Sequence, residues 1–386
     1  MKKRIAALIM ALIMLLGVMT GCGSTSESTE TTEAPAETAD VSDAADTTAD
    51  SGEDKYATAY AKYDPDTVVM TVNGEPVTWS EYYYWIYMVA QDMDSYYSGA
   101  LWSEAISDEY TFQTYAQTFA ESYIAQYWIV EQEAEALGVS LTAEDEEYIA
   151  ELLAEDIETY GGGDEQAFYD YLASTYISQS LYDRMTSDAQ LYVRVFESYF
   201  GNMGEDLSDE DVLSYANDND YAYAKHILFL TVDADAGEEL SDEEKAEKLA
   251  LAEQTLAELQ SAGEGETLEA AFDEKMNALS EDTGLITYPD GYLFTTDMMV
   301  TEFEDATFAL GDYEMSDVVE SSYGYHIILR LPITDPDMTV MSTEYPLRYV
   351  VASALFSNIV DGWYDYVEVE YTEEFENIDF DELFSV

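Results

Sequence analysis

Only two histidines occur in the 386 residues, and each heads a short aliphatic run: Ala-Lys-His226-Ile-Leu-Phe (224–229) and Gly-Tyr-His326-Ile-Ile-Leu (324–329). Short runs of this composition, bounded by polar loops, read as buried strands. Imidazoles in two such matched settings constrain the chain more than any other feature. Between them the pattern is orderly. Ser241 caps a helix with Glu244 at N3, Leu249, Ala252, Leu256 and Leu259 form its buried stripe, and Gly263 ends it. A second helix follows over about 267–279, then Ser280-Glu-Asp282 and a loop containing Gly and Pro that runs to Gly291. Tyr292–Phe294 reads as a short strand and Phe303–Leu310 as a helix with one apolar face. Gly311–Ser316 turns back toward Val318-Val319, and Tyr323–Leu331 is the closing strand. The order β-α-α-loop-β-α-β with four short strands defines an α+β domain. Two histidines without a cysteine beside them supply too few ligands for zinc, so neither a metal nor a cofactor is expected.

The His226 strand and the segment FEDATFALGDYEMSDVVESSYGYHIILR (303–330) resemble the parvulin family of peptidyl-prolyl isomerases, and the resemblance covers 221–332. It implies that His226 and His326 face one another beneath the substrate proline. Asp282 matches a family position held by Cys, Asp or Ser, and Ser321 the hydroxyl that bonds to the histidine pair. Met299 and Phe303 match the walls of the proline pocket, and Tyr323 a variable residue at its rim. Such residue types suit rotation of a prolyl amide, whose barrier of ~18–20 kcal/mol comes from partial double-bond character. An apolar pocket disfavours the charge-separated resonance form, and Asp282 beside the carbonyl weakens resonance further. The histidines orient the site and transfer no proton. The chain departs from the family at Pro289-Asp-Gly-Tyr292, where Gly-Asp-Leu-Gly is usual. The loop TVDADAGEEL (231–240) is acidic, which opposes recognition of phosphorylated Ser/Thr-Pro by a basic cluster. It also lacks the spacing of a calcium-binding loop.

Upstream, Val68–Val72 reads as a strand, Asn73-Gly74 as a tight turn and Pro76-Val77 as the return. Thr78 caps a helix, with Glu81 placed to complete a capping box. The run TVNGEPVTWSEYYYW (71–85) resembles the opening of the helical chaperone module of PrsA-type foldases and SurA-type chaperones. Further helices are expected over about 108–136, stopping at Gly138, and from the Thr142 cap with Tyr148, Ile149, Leu152 and Leu153 as its apolar stripe. Others open at Asp164, after Gly161-Gly-Gly163, span roughly 178–200, and are capped by Ser208 with Asp211. Four consecutive rings, Tyr82 to Trp85, point around a whole helix, so some are expected to meet solvent or a partner. Near the end, a helix over about 342–364 carries Leu347, Val350, Val351, Leu355, Ile359 and Trp363, a face with no evident partner in the parvulin-like block. A strand at 367–371 and a final turn follow. The resemblance implies that this segment folds back onto the first block, so that the parvulin domain (221–332) is an insert in a module made of 59–213 plus 337–386.

Residues 1–21 combine Lys2, Lys3 and Arg4 with an apolar run from Ile5 to Met19, the pattern of an export signal. Met-Thr-Gly-Cys22 resembles a bacterial lipobox, which implies lipidation of Cys22. It is the only cysteine, so no intrachain disulfide forms. Residues 23–58 hold almost nothing large and apolar and read as an acidic tether. The formal charge is −70, which argues against nucleic acid and anionic lipid surfaces as partners. The expectation is a lipid-anchored protein on the extracytoplasmic face of a bacterial membrane. Its helical module holds exported, unfolded polypeptides and its parvulin domain isomerises their X-Pro bonds; a homodimer is compatible with this. The competing readings are a holdase with a silent isomerase site and a small-molecule-binding lipoprotein. The latter lacks the repeated βαβ pattern its lobes require.

Overall fold

The computed structural model describes residues 54–97, 99–107, 109–233 and 238–385. The expected export signal, Cys22, most of the expected tether and part of the acidic loop lie outside them. The chain divides into two compact units. One takes in the described residues up to Ser198 and resumes at Ser357; the other is Tyr199–Phe356.

The first unit opens with α1 (Lys55–Tyr60), capped by Asp54. The expected tether therefore ends sooner, because Ala59 is buried and the Tyr56 ring packs edge-on against Tyr87. β1 (Val68–Val72) and β2 (Glu75–Thr78) form a hairpin through Asn73 and Gly74, both at positive φ. A strand from the far end of the chain, β7 (Val369–Tyr371), pairs antiparallel with the free edge of β1. α2 (Trp79–Tyr96) follows the Thr78 cap. Glu81 does not close a capping box; its carboxylate is drawn instead to Arg184, at 3.2 Å.

Tyr82, Tyr83, Tyr84 and Trp85 are all buried, contrary to the expectation from their spacing. Over this turn helix α2 is enclosed on every side. Tyr82 meets Phe375, Tyr83 meets Phe384, and Trp85 stacks on Tyr123 with centroids 4.5 Å apart. Phe375 and Phe384 belong to the C-terminal turns around α12 (Glu373–Glu376) and α13 (Phe380–Leu383). In the chain they follow α3 (Phe112–Leu137), α4 (Ala143–Gly161), α5 (Glu165–Ser174), α6 (Gln179–Phe200), α7 (Asp209–Asp218), α8 (Asp242–Leu259), α9 (Glu266–Leu279), α10 (Thr301–Ala309) and α11 (Leu347–Trp363).

Helix α3 starts at its Thr111 cap and stops at Gly138 in the left-handed conformation. Helix α4 has the capping box of Thr142 and Asp145. Asp145 does more than cap, since Arg194 of α6 grips its carboxylate through Nε and a terminal nitrogen at 2.7–2.9 Å. That hydrogen-bonded guanidinium holds the carboxyl well below its ordinary range. The expected apolar stripe of α4 is not a core face: Asp145 is its one buried residue, and Tyr148 is exposed.

In the second unit a four-stranded antiparallel sheet has the order β4-β3-β6-β5, formed by β3 (Ala222–Leu230), β4 (Tyr292–Phe294), β5 (Val319–Glu320) and β6 (Gly324–Leu331). One face carries Ile227, Phe229, Ile327 and Leu329 against α8 and α9. The other carries Ala224, Ile328 and both histidines, with Phe294 and Phe303 packed over it. Residues 337–356, expected in the helical module, lie in this unit. Leu347 and Val351 have an apolar partner after all, packing with Leu293, Val212 and Ala216. Arg348 ties the same region together through Asp209, Asp337 at 2.9 Å and the Leu207 carbonyl.

Candidate functional site

The site grows from the register of β3 and β6. Leu228 stands opposite His326, and His226 opposite Ile328. The two histidines are thus diagonal neighbours on one sheet face, a separation that long or aromatic side chains can bridge. Their rings lie nearly parallel with Nδ1 atoms 3.1 Å apart.

Asp282 is brought to this pair by the edge of β3. β4 covers that strand only at 222–224, leaving later backbone groups to be satisfied by Ser280-Glu281. The Leu228 N–H donates to Ser280 Oγ, the Glu281 N–H to the Leu228 carbonyl, and the Leu230 N–H to the Glu281 carboxylate. The next residue, Asp282, then meets His226 Nε2 at 2.7 Å through Oδ2. The same oxygen accepts the Tyr292 hydroxyl at 2.5 Å, and Oδ1 accepts the Gly284 N–H at 2.9 Å. Burial alone raises a carboxyl pKa; here the bonds from His226, Tyr292 and Gly284 outweigh it and lower Asp282 to about 2. A Cβ at Gly284 would fall 2.2 Å from the Tyr292 hydroxyl, so a larger residue there would push that hydroxyl from its place.

On the other side, Ser321 Oγ is 2.7 Å from His326 Nε2 and accepts the Tyr323 N–H at 3.1 Å. Burial, then the neighbouring His226, lower the His326 pKa to about 3, against which Asp282 acts weakly. His326 is therefore neutral at ordinary pH. For a neutral pair the hydrogen bonds run one way. Ser321 donates to His326 Nε2, His326 Nδ1–H donates to His226 Nδ1, and His226 Nε2–H donates to Asp282.

This polar line forms the base of a cavity of about 630 Å³. Phe303 sets its ring edge to both imidazoles, with centroids 5.1 and 5.6 Å away. Met299, Leu228 and Val300 add apolar wall, and Tyr323, 53% exposed, stands at the mouth. The structure thus brings together His226, His326, Asp282, Met299, Phe303 and Tyr323 around one cavity, with Ser321 behind His326. Cys22 lies outside the described residues. Sequence reasoning missed Tyr292, whose hydroxyl shares Asp282. Its one signal was the departure at 289–292, which places a tyrosine where the family has glycine. Of the charged side chains lining the cavity among the described residues, Asp233, Glu281, Asp282 and Asp297 are acidic and none is Lys or Arg.

Comparison with known proteins places this geometry. Residues 212–332 match the family model described as the PPIC-type PPIASE domain. The second unit therefore contains a PPIC-type peptidyl-prolyl isomerase domain. Over 278 residues, 69% of this chain and 74% of the relative, the sequence is 26% identical to the foldase protein PrsA of Caldanaerobacter subterraneus. It is 47% identical to foldase protein PrsA 1 of Bacillus cereus over 60 residues, 15% of this chain and 21% of that protein. A crystal structure of PrsA from Bacillus cereus overlaps 83% of this chain and 99% of its own, at 16% identity and a TM-score of 0.29. Beyond the isomerase domain, the chain is similar to PrsA foldases over about two thirds of its length.

Proposed function

We propose that the protein isomerises X-Pro bonds in exported polypeptides and helps them fold from a lipid anchor on the outer face of the cell membrane. The observation that carries the catalytic reading is the convergence of the imidazole pair, Asp282 and the Phe303/Met299 wall on one cavity. A proline ring gripped on Phe303 and Met299 leaves the preceding carbonyl free to swing. In this apolar setting the charge-separated amide resonance form is disfavoured, and the Asp282 carboxylate beside the carbonyl disfavours it further. Uncatalysed isomerisation takes ~10–100 s, slow compared with folding after export, so even a modest acceleration is useful. The imidazole pair holds Asp282 in place through His226 Nε2; no proton transfer is needed.

The anchor and location rest on the sequence: a basic and apolar leader, Met-Thr-Gly-Cys22, and an acidic tether. No helix among the described residues is long and apolar enough to cross a membrane. The helical unit, closed by the C-terminal segment, is proposed as the client-holding module.

The test is a chromogenic X-Pro peptide assay on the wild type, Asp282→Ala and Phe303→Ala. Acceleration by the wild type that drops at least about tenfold in both variants supports the reading. A wild type that matches the uncatalysed rate while still suppressing client aggregation leaves a holdase with a silent site.

A further inference from the structure

The helical unit holds a second cavity, of about 400 Å³, and what lies in its wall points to a ligand. Asp188 on α6 is 6% exposed, and its Oδ2 has no hydrogen-bond partner among the described residues. The hydroxyl of Tyr127 on α3, also buried in this wall, is likewise without one. The cavity is lined by two carboxyls, Asp156 and Asp188, and by no Lys, Arg or His among the described residues. Asp156 already accepts the Tyr182 hydroxyl at 2.5 Å. Around Asp188 the nearest charges are Glu81 on α2, Glu131 on α3 and Arg184 on its own helix. Arg184 is committed: it bonds Glu81 at 3.2 Å and Glu131 at 3.3 Å and lies 3.9 Å over the Trp128 ring. Arg184 thus serves Glu81 and Glu131, and no cation is hydrogen-bonded to Asp188 Oδ2 among the described residues. Burial, followed by Glu131, pushes the Asp188 carboxyl up to about 8 despite Arg184.

The rest of the cavity suits the stem of such a cation. Tyr148 and Leu152, part of the α4 stripe that finds no core, open onto it. Tyr160 and Tyr171 stack on each other at its edge, both exposed. Apolar and aromatic walls around one buried acid match a long aliphatic chain ending in ammonium or guanidinium.

We propose that this cavity receives a single lysine or arginine side chain of an extended polypeptide, with the stem along the tyrosine rings and the head donating to Asp188 Oδ2. The occupant being a client chain rests on the foldase reading above. Charge complementarity also favours it, because a chain of net charge −70 attracts basic segments. On binding, Asp188 gives its proton to solvent and the carboxylate pairs with the incoming cation.

The experiment uses the full-length chain and a short, labelled, proline-free peptide carrying one lysine, compared with the same peptide carrying norleucine. The lysine peptide is expected to bind at least about tenfold tighter, as one desolvated charge-assisted hydrogen bond provides. Asp188→Asn should erase that difference. Near pH 7 binding should release up to one proton, read as a heat that varies with the ionisation enthalpy of the buffer. Equal affinities for the two peptides, or a lysine preference that survives in Asp188→Asn, overturn the proposal. Should that variant melt early, the two peptides and the proton release on wild type decide alone. Because the peptide has no proline, the isomerase assay separates the two readings. Lost isomerase activity with intact lysine discrimination refutes only the first, and the converse refutes only the second.

Discussion

The histidine pair makes the stability of the isomerase unit depend on pH in a calculable way. The Nδ1 atoms are 3.1 Å apart, so one must carry a lone pair for the other to donate into. A doubly protonated pair aims N–H at N–H across that gap. The folded unit therefore refuses a second proton, in keeping with a His326 pKa lowered from 6.5 to about 3. Unfolded, the chain takes up both imidazole protons near pH 6.5. A group depressed in the folded state contributes stability above its unfolded pKa and loses it as pH falls, here across the window from 6.5 to about 3. Between about pH 7.5 and about pH 5 the loss is RT ln(1 + 10^1.5), about 2 kcal/mol. Down to about pH 5 this figure depends on the unfolded pKa alone, because His326 stays neutral in the folded state throughout. His326→Gln removes the effect, while every carboxylate contribution is common to both proteins and cancels. The assay is hydrogen exchange of the slowest amides in β3 and β6, converted to opening free energies at the two pH values. A wild type whose pH dependence matches that of His326→Gln would refute the reasoning about the shared proton.

Other outcomes follow from the same geometry. Tyr292→Phe removes one of three bonds to Asp282 and should raise its pKa toward the ordinary range while leaving isomerase turnover within about tenfold, read from a pH–rate profile extended into acid. Peptides with Lys before proline should be turned over several-fold faster than those with Glu, a ratio shrinking as salt rises, since Asp233, Glu281 and Asp297 line the cavity. Asp145→Asn should cost the helical unit about 1–3 kcal/mol in urea unfolding followed by tryptophan fluorescence, through loss of the cap and of the Arg194 pair. That contribution is present above the ordinary aspartate pKa of 3.8 and fades as acid protonates the carboxyl. Truncation before Val367 should melt the helical unit and leave isomerase activity in the second unit.

Local chemistry was the legible part of the sequence. Thr142 with Asp145, Ser241 with Glu244 and Gly138 mark helix ends because their partners lie within a few residues. The His226 and His326 runs could be read as strands for the same reason, and resemblance to a family supplied the site residues around them. What escaped depends on distant chain. Nothing near Tyr82–Trp85 shows that Phe375 and Phe384 will cover their helix. Leu347 and Val351 looked unpartnered because their partners are Val212, Ala216 and Leu293. The α4 stripe looked like core because periodicity records which side is apolar and not what faces it. Tyr292 was visible only as a break with the family pattern.

The pairing of β7 with β1 imposes an order of events on a chain synthesised from its N-terminus. Tyr199–Phe356 is complete in itself once its last residue is free. The unit that begins first must wait for Val369–Tyr371 to fill its sheet and for Phe375, Phe380 and Phe384 to seal its rings. Until those final residues emerge, Tyr82, Tyr83 and Trp102 lack ring partners that help bury them in the folded unit. The half born earliest is the last to close.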